Sequence, residues 1–146
     1  MSPEFLLLKE VSMPVKPILI VDDEPIVRES LRDWLGDAGY KVVTAETGEQ
    51  ALELIGEKDF SVLILDIRLP GRTGIAVLKE VKNKKPDIKA IIITAYPTSD
   101  LTAEALKLGA IDYLVKPIAP DDLERLVRDA VRNAQAKTWE AIKDEK

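Results

Sequence analysis

From Pro17 onward, short runs of unbroken hydrophobicity alternate with longer amphipathic stretches. That rhythm predicts a parallel sheet covered by helices. The apolar runs are Ile18 to Val21, Lys41 to Ala45, Val62 to Leu65, Ala90 to Ile93 and Tyr113 to Val115. Three of them are almost entirely Ile, Leu and Val, the composition of central strands buried on both faces.

The stretches between them read as helices with recognisable ends. The first opens at Pro25, whose fixed φ suits a first helical turn, and stops near Gly39. The second begins at Thr47, with Gln50 placed to complete a capping box, and turns Ala51, Leu54 and Ile55 inward. The third follows Gly74, carries Val77, Leu78 and Val81 on one stripe, and ends at Pro86. The fourth spans about Ser99 to Leu108, with Leu101, Ala105 and Leu108 on one face and Gly109 as its stop. The fifth opens at Pro120, with Asp121 and Asp122 at the end of the helix dipole that favours acids. Its helical composition continues to Ile142, with Leu126, Val127, Ala130, Val131 and Ala134 on one face. Five such β–α units predict a flavodoxin-like α/β fold, a doubly wound five-stranded parallel sheet of strand order 2-1-3-4-5 with five helices.

Length and composition narrow the class. A chain of 146 residues suits one compact domain, and 46% hydrophobic with 32% charged residues suits a globular one. Met1 to Lys16 is set apart as an N-terminal extension, with Ser2 to Phe5 read as vector-derived and Met13 as a candidate natural start. Residues 17–136 form the expected domain, and 137–146 a C-terminal tail or the start of a linker helix. The apolar run Phe5 to Leu8 is too short for a signal-peptide core or a membrane span, so a cytoplasmic location and no membrane partner are expected. The formal charge of −5 disfavours nucleic-acid binding by this chain. With neither cysteine nor histidine in the sequence, any metal must be held by oxygen, which points to a hard cation such as Mg²⁺.

Functional groups of an open parallel sheet gather beyond the carboxyl ends of its strands. The first strand ends in Asp22, Asp23 and Glu24, the third in Asp66, the fourth in Thr94 and Ala95, and the fifth in Lys116 and Pro117. The expected strand order brings these groups to one edge. Clustered carboxylates repel, and a divalent cation between them restores the ionised state. Asp22, Asp23 and Asp66 with one Mg²⁺ and Lys116 sum to about zero charge. A phosphoryl group on Asp66 then meets positive charge, and the Thr94 hydroxyl can donate to it. Taken singly, each residue has an ordinary explanation. The acidic run could be a solvated helix N-terminus, Lys116 a snorkelling strand end, Thr94 a β-former and Tyr113 core packing. Asp66 resists this, because a carboxylate directly after Val-Leu-Ile-Leu sits at the edge of the core.

The stretches ILIVDDEP (18–25), VLILDIRLPGRTG (62–74), IIITA (91–95) and GAIDYLVKP (109–117) together resemble the receiver domain of two-component response regulators. The resemblance covers Pro17 to about Asn133. It implies that Asp66 is phosphorylated, and that Asp23, with Asp22 behind it, holds Mg²⁺ together with Asp66 and the backbone carbonyl of Arg68. It further implies that Thr94 and Tyr113 are a switch pair, that Ala95 and Lys116 contact the phosphoryl group, and that the bond before Pro117 is cis. The implied donor is a sensor histidine kinase or a histidine phosphotransfer protein. Thr73 departs from the commonest pattern, which has an acid before Gly74. Arg68 and Tyr96 occupy positions that flank the path of attacking water, and their bulk is expected to lengthen the phosphorylated lifetime. The DIRLPG segment also resembles receivers attached to σ54-type transcription activators, and a stand-alone receiver is equally compatible. A homodimer through the fourth helix, fifth strand and fifth helix, or through the extended fifth helix, is expected.

Rival functions fit less well. A Mg²⁺-dependent aspartyl-phosphate phosphohydrolase of the haloacid dehalogenase type carries a second Asp two residues after the first, where this chain has Arg68. A flavin phosphate prefers a Gly/Ser/Thr loop after the first strand, and Asp22, Asp23 and Glu24 would repel it. A receiver that is never phosphorylated would not need the acceptor residues present here. The expectation is therefore a signalling switch, not an enzyme.

Overall fold

The computed structural model describes the backbone of residues 15–144 and the side chains of residues 15–133. The readings for Met1 to Pro14 and for the side chain of Ala134 lie outside these. In chain order the elements are β1 (Ile18–Val21), α1 (Pro25–Asp37), β2 (Val42–Ala45), α2 (Gly48–Glu57), β3 (Val62–Asp66), α3 (Gly74–Lys84), β4 (Lys89–Thr94), α4 (Asp100–Lys107), β5 (Asp112–Val115) and α5 (Pro120–Asp144). The strands form one sheet in the order β2-β1-β3-β4-β5, as the alternation predicts, and every pairing is parallel. Strand limits differ from the sequence reading by one residue at several ends: Asp66, Lys89, Thr94 and Asp112 still pair, whereas Lys41 lies outside β2.

Two apolar layers sandwich the sheet, and the two-residue alternation of the strands assigns side chains to them. Leu19, Val21, Leu63, Leu65 and Ile92 face α2, α3 and α4, meeting Ala51, Ile55, Val77, Leu78, Val81 and Ala105. Ile18, Ile20, Val62, Ile64, Ile91 and Ile93 face α1 and α5, meeting Leu31, Leu35, Leu123, Val127, Ala130 and Val131. All residues of β1 and β3 are buried, which is why those runs are apolar up to Asp66 at the tip of β3. Each such Ile or Leu contributes roughly 1.5–3 kcal/mol by leaving water. Leu54, Leu101 and Leu108 are only partly buried at the margin of the first layer.

Local chemistry sets the helix starts. Thr47, Thr73 and Ser99 cap α2, α3 and α4, each side chain accepting an amide three residues on. At α2 the box is displaced by one residue, because Gln50 Oε1 takes the amide of Glu46 at 2.7 Å and not that of Thr47. Gly74 is required where α3 begins: a Cβ there would lie 2.5 Å from the Asp66 carbonyl and 2.7 Å from Ile67 Cα. That close approach folds the loop after β3 back under Asp66, with the Gly74 amide bonded to the Ile67 carbonyl at 2.9 Å.

Candidate functional site

The carboxyl ends of β1, β3, β4 and β5 meet at one edge of the sheet, held in register by the pairs Val21 with Leu65, Asp66 with Ile93 and Thr94 with Val115. Continuing the strand alternation, Asp22, Asp66 and Lys116 stand on the α1/α5 side and Thr94 on the α3/α4 side. The structure thus brings together the three groups on the first side. Lys116 Nζ lies 2.7 Å from Glu24 Oε1, 2.9 Å from Asp66 Oδ2 and 3.2 Å from Asp22 Oδ2. Asp22 is fully buried and Asp66 is 5% exposed, whereas Asp23 is open to solvent.

Backbone amides orient both buried carboxylates. The Glu24 amide donates to Asp22 Oδ1 at 2.8 Å, and the Arg68 amide donates to Asp66 Oδ1 at 2.9 Å. Asp22 Oδ2, however, has no hydrogen-bond partner among the described residues, since its contact with Lys116 lacks hydrogen-bond geometry. Burial, opposed by the Glu24 amide, reinforced by the Asp66 charge and opposed again by Lys116, raises Asp22 from 3.8 to about 6. For Lys116, burial favours the neutral amine, but hydrogen bonds to Glu24 and Asp66 and the charges of Asp66 and Asp22 outweigh it. The ammonium is therefore held above its ordinary pKa.

The donor set fits magnesium. Carboxylate oxygens of Asp22, Asp23, Glu24 and Asp66 lie within 4.8 Å of one another, all are hard ligands, and one of them is an orphaned buried oxygen.

The remaining expected residues have contacts of their own, and Thr94 and Tyr113 lie on the other side of the sheet. Thr94 is 2% exposed, and its Oγ1 accepts the Tyr96 amide at 3.0 Å and lies 3.3 Å from the Thr102 hydroxyl. Ala95 follows it at the surface. Tyr113 is half-buried and packs on the α2/α3/α4 layer. The Lys116–Pro117 bond is cis. Arg68 places its guanidinium 5.0 Å from the centroid of the Tyr96 ring, a cation–π contact just beyond the tips of β3 and β4.

Two residues went unread in the sequence, Arg28 and Thr102, and a third, Glu24, was read in the acidic run but not among the metal ligands. Glu24 completes the acidic cluster beside Asp22 and Asp23. Arg28 donates to the Asp22 carbonyl at 2.8 Å and pairs with Glu46 at 3.3 Å, bracing the β1–α1 loop from behind. Thr102 is buried in the first turn of α4, where its i, i+3 spacing to the inward-facing Ala105 was the available clue.

Comparison with known proteins agrees with this geometry. Residues 18–128 match the family model of the response regulator receiver domain. Transcriptional regulatory protein ZraR of Klebsiella oxytoca is 42% identical over 122 residues, which are 81% of this chain and 27% of that protein. The chain spans about a quarter of the length of the curated relatives it matches. Among solved structures, a CheY-like receiver domain protein from Methanospirillum hungatei JF-1 superposes with a TM-score of 0.81 at 30% identity, covering 84% of this chain and 98% of that one. Response regulator TrrA from Thermotoga maritima, solved in complex with Mg²⁺ and BeF, superposes with a TM-score of 0.70 at 42% identity, covering 80% and 99%. The chain belongs to the response regulator receiver domain family, and its place is that of the receiving component in a phosphorelay.

Proposed function

We propose that Asp66 is the phosphoryl acceptor of this receiver and that a phosphohistidine on a sensor kinase or phosphotransfer protein is its donor. The observation that carries this reading is the convergence of the buried Asp22 and Asp66 carboxylates on the Lys116 ammonium, with one Asp22 oxygen left unsatisfied. In the transfer, an Asp66 oxygen attacks phosphorus, the P–O bond forms as the P–N bond breaks, and imidazole departs. Lys116 holds Asp66 in place beforehand and then offers its charge to the phosphoryl oxygens. Asp22, Asp23 and Asp66, with the Arg68 carbonyl and with Glu24 near them, are the residues to hold Mg²⁺. A bound Mg²⁺ would supply the positive charge that phosphoryl oxygens require at this acidic edge. The test is uptake of one phosphoryl group from acetyl phosphate in magnesium, read by intact mass, and an unchanged mass would overturn the reading.

The transfer is stoichiometric, not a turnover reaction, because the position two residues after Asp66 carries Arg68 where a phosphohydrolase needs a general acid. Arg68 and Tyr96, stacked just beyond the tips of β3 and β4, are the residues to slow water's approach to the acyl phosphate. Tyr96→Ala should shorten the life of the phosphorylated protein severalfold, followed as loss of the phosphorylated mass after acetyl phosphate is removed; an unchanged decay refutes the shield.

Once phosphorylated, Asp66 draws Thr94 toward it, and Tyr113 turns into the vacated space, shifting the population between two packings. The face that changes carries exposed apolar residues, Leu106 on α4, Ile111 before β5 and Val115 in it. A homodimer across α4, β5 and α5, or along α5, fits that surface. Light scattering should show association on adding beryllium fluoride with magnesium, whereas a monomer in both conditions counts against it. Residues 17–136 form the receiver in this reading, and the output belongs to further chain of a longer cytoplasmic regulator, as in ZraR, or to a separate partner. No described helix is long and apolar enough to cross a membrane.

A further inference from the structure

We infer that Thr102 is a positioning residue for the Thr94 hydroxyl, a latch that ties the switch residue to the first turn of α4 until Asp66 is phosphorylated. The inference rests on the acceptor reading above and extends it to a residue outside the pocket. Thr102 is 1% exposed, and a hydroxyl buried so completely needs partners. Its Oγ1 lies 3.3 Å from Thr94 Oγ1, 3.1 Å from the Tyr96 carbonyl and 3.0 Å from Ser99 Oγ. Ser99 caps α4 and accepts the Thr102 amide at 3.2 Å. One side chain therefore joins the tip of β4, the loop that follows it and the start of the next helix.

Counting hydrogens shows how the latch holds. A hydroxyl carries one hydrogen, so Thr102 shares a single donor between Thr94 Oγ1 and the Tyr96 carbonyl. Thr94 is held on the α3/α4 side of the sheet, whereas Asp66 faces the α1/α5 side. For Thr94 to donate to a phosphoryl group on Asp66 it must leave Thr102, and the bond to Thr102 favours the resting arrangement. Removing one such hydrogen bond biases a two-state equilibrium by about fivefold.

Thr102→Val keeps the side-chain shape and removes the hydroxyl. It orphans none of the three neighbours, because the Tyr96 carbonyl still accepts the Ser99 amide at 3.1 Å, Thr94 Oγ1 still accepts the Tyr96 amide at 3.0 Å and Ser99 Oγ still accepts the amide of residue 102 at 3.2 Å. Thr102→Ser keeps the hydroxyl and serves as the rescue.

The experiment titrates the wild type and both variants with beryllium fluoride in magnesium by calorimetry. It also follows amide hydrogen exchange of residues 99–103 in the unliganded proteins. The Val variant should bind about fivefold tighter and exchange faster over the first turn of α4, with the Ser variant matching wild type. Mere structural damage weakens binding, so tightening distinguishes the latch from it. Equal affinity of wild type and the Val variant, with unchanged exchange, overturns the latch and leaves the acceptor reading standing; a wild type that fails to bind overturns both.

Discussion

Asp66→Asn should show no gain in mass after incubation with acetyl phosphate and magnesium, under conditions in which the wild-type chain gains one phosphoryl group. The amide of asparagine is close to the carboxylate in size but lacks the charge and the nucleophilic oxygen that attack on phosphorus requires. The variant should still fold. Asp66 sits at the tip of β3, its strand neighbours Leu65, Ile67 and Ile93 are apolar, and Lys116 retains Glu24 at 2.7 Å and Asp22 at 3.2 Å. A neutral side chain also removes one of the repelling buried charges. The loss should therefore be complete for phosphorylation and small for stability, and a thermal melt run beside the mass measurement separates the two. Uptake by the Asn variant would place the acceptor elsewhere, Asp22 and Asp23 being the first alternatives.

The second large effect concerns stability, and its sign is opposite to that of most substitutions at buried positions. Asp22→Asn should stabilise the metal-free protein at pH 7. The native fold raises Asp22 from 3.8 to about 6, chiefly through burial, so above pH 6 it carries an ionised carboxylate that the unfolded chain would hydrate freely. Below about pH 4 the group is neutral in both states and the penalty vanishes. Asp22 thus leaves stability intact at low pH, erodes it as pH rises from about 4 to about 6, and imposes its full penalty above that. The gain from Asn should be on the order of 2 kcal/mol at pH 7 and close to nothing at pH 4. Denaturant unfolding of the two proteins at both pH values measures it, and titrating groups distant from Asp22 cancel in the difference. Magnesium should reverse the order: at a hundred times its Kd a ligand of the folded state adds about 2.7 kcal/mol to wild type, more than the gain from Asn, and the variant, short of a ligand, should gain less. A variant less stable than wild type at pH 7 without metal would contradict the account.

Both expectations come from the same arrangement, in which the fold concentrates more negative charge than Lys116 can balance where it will be used. The cost is borne by a core that is otherwise complete, with β1 and β3 wholly buried between two apolar layers. Gly74 shows how little freedom the site has, since even a methyl group there would collide with the backbone of Asp66 and Ile67.

Much of this was legible along the chain. Runs such as Val62 to Leu65 announce buried strands because a strand covered on both faces has no place for a polar residue, and Thr47, Thr73 and Ser99 mark helix starts because a short side-chain oxygen satisfies a free amide locally. Asp22, Asp66, Thr94 and Lys116 could be placed at strand tips for the same reason, position along a strand being a one-dimensional property. What the tertiary structure alone decided is which groups touch. Lys116 reaches Glu24 as well as both buried aspartates, Arg28 braces the loop from behind, one Asp22 oxygen is left without a hydrogen bond, and Thr102 takes hold of Thr94 from the opposite side of the sheet. Those contacts span up to 92 residues of sequence and depend on side-chain length, strand register and the face each residue presents. Local propensity is blind to all three, because they arise only when separate strands are brought side by side.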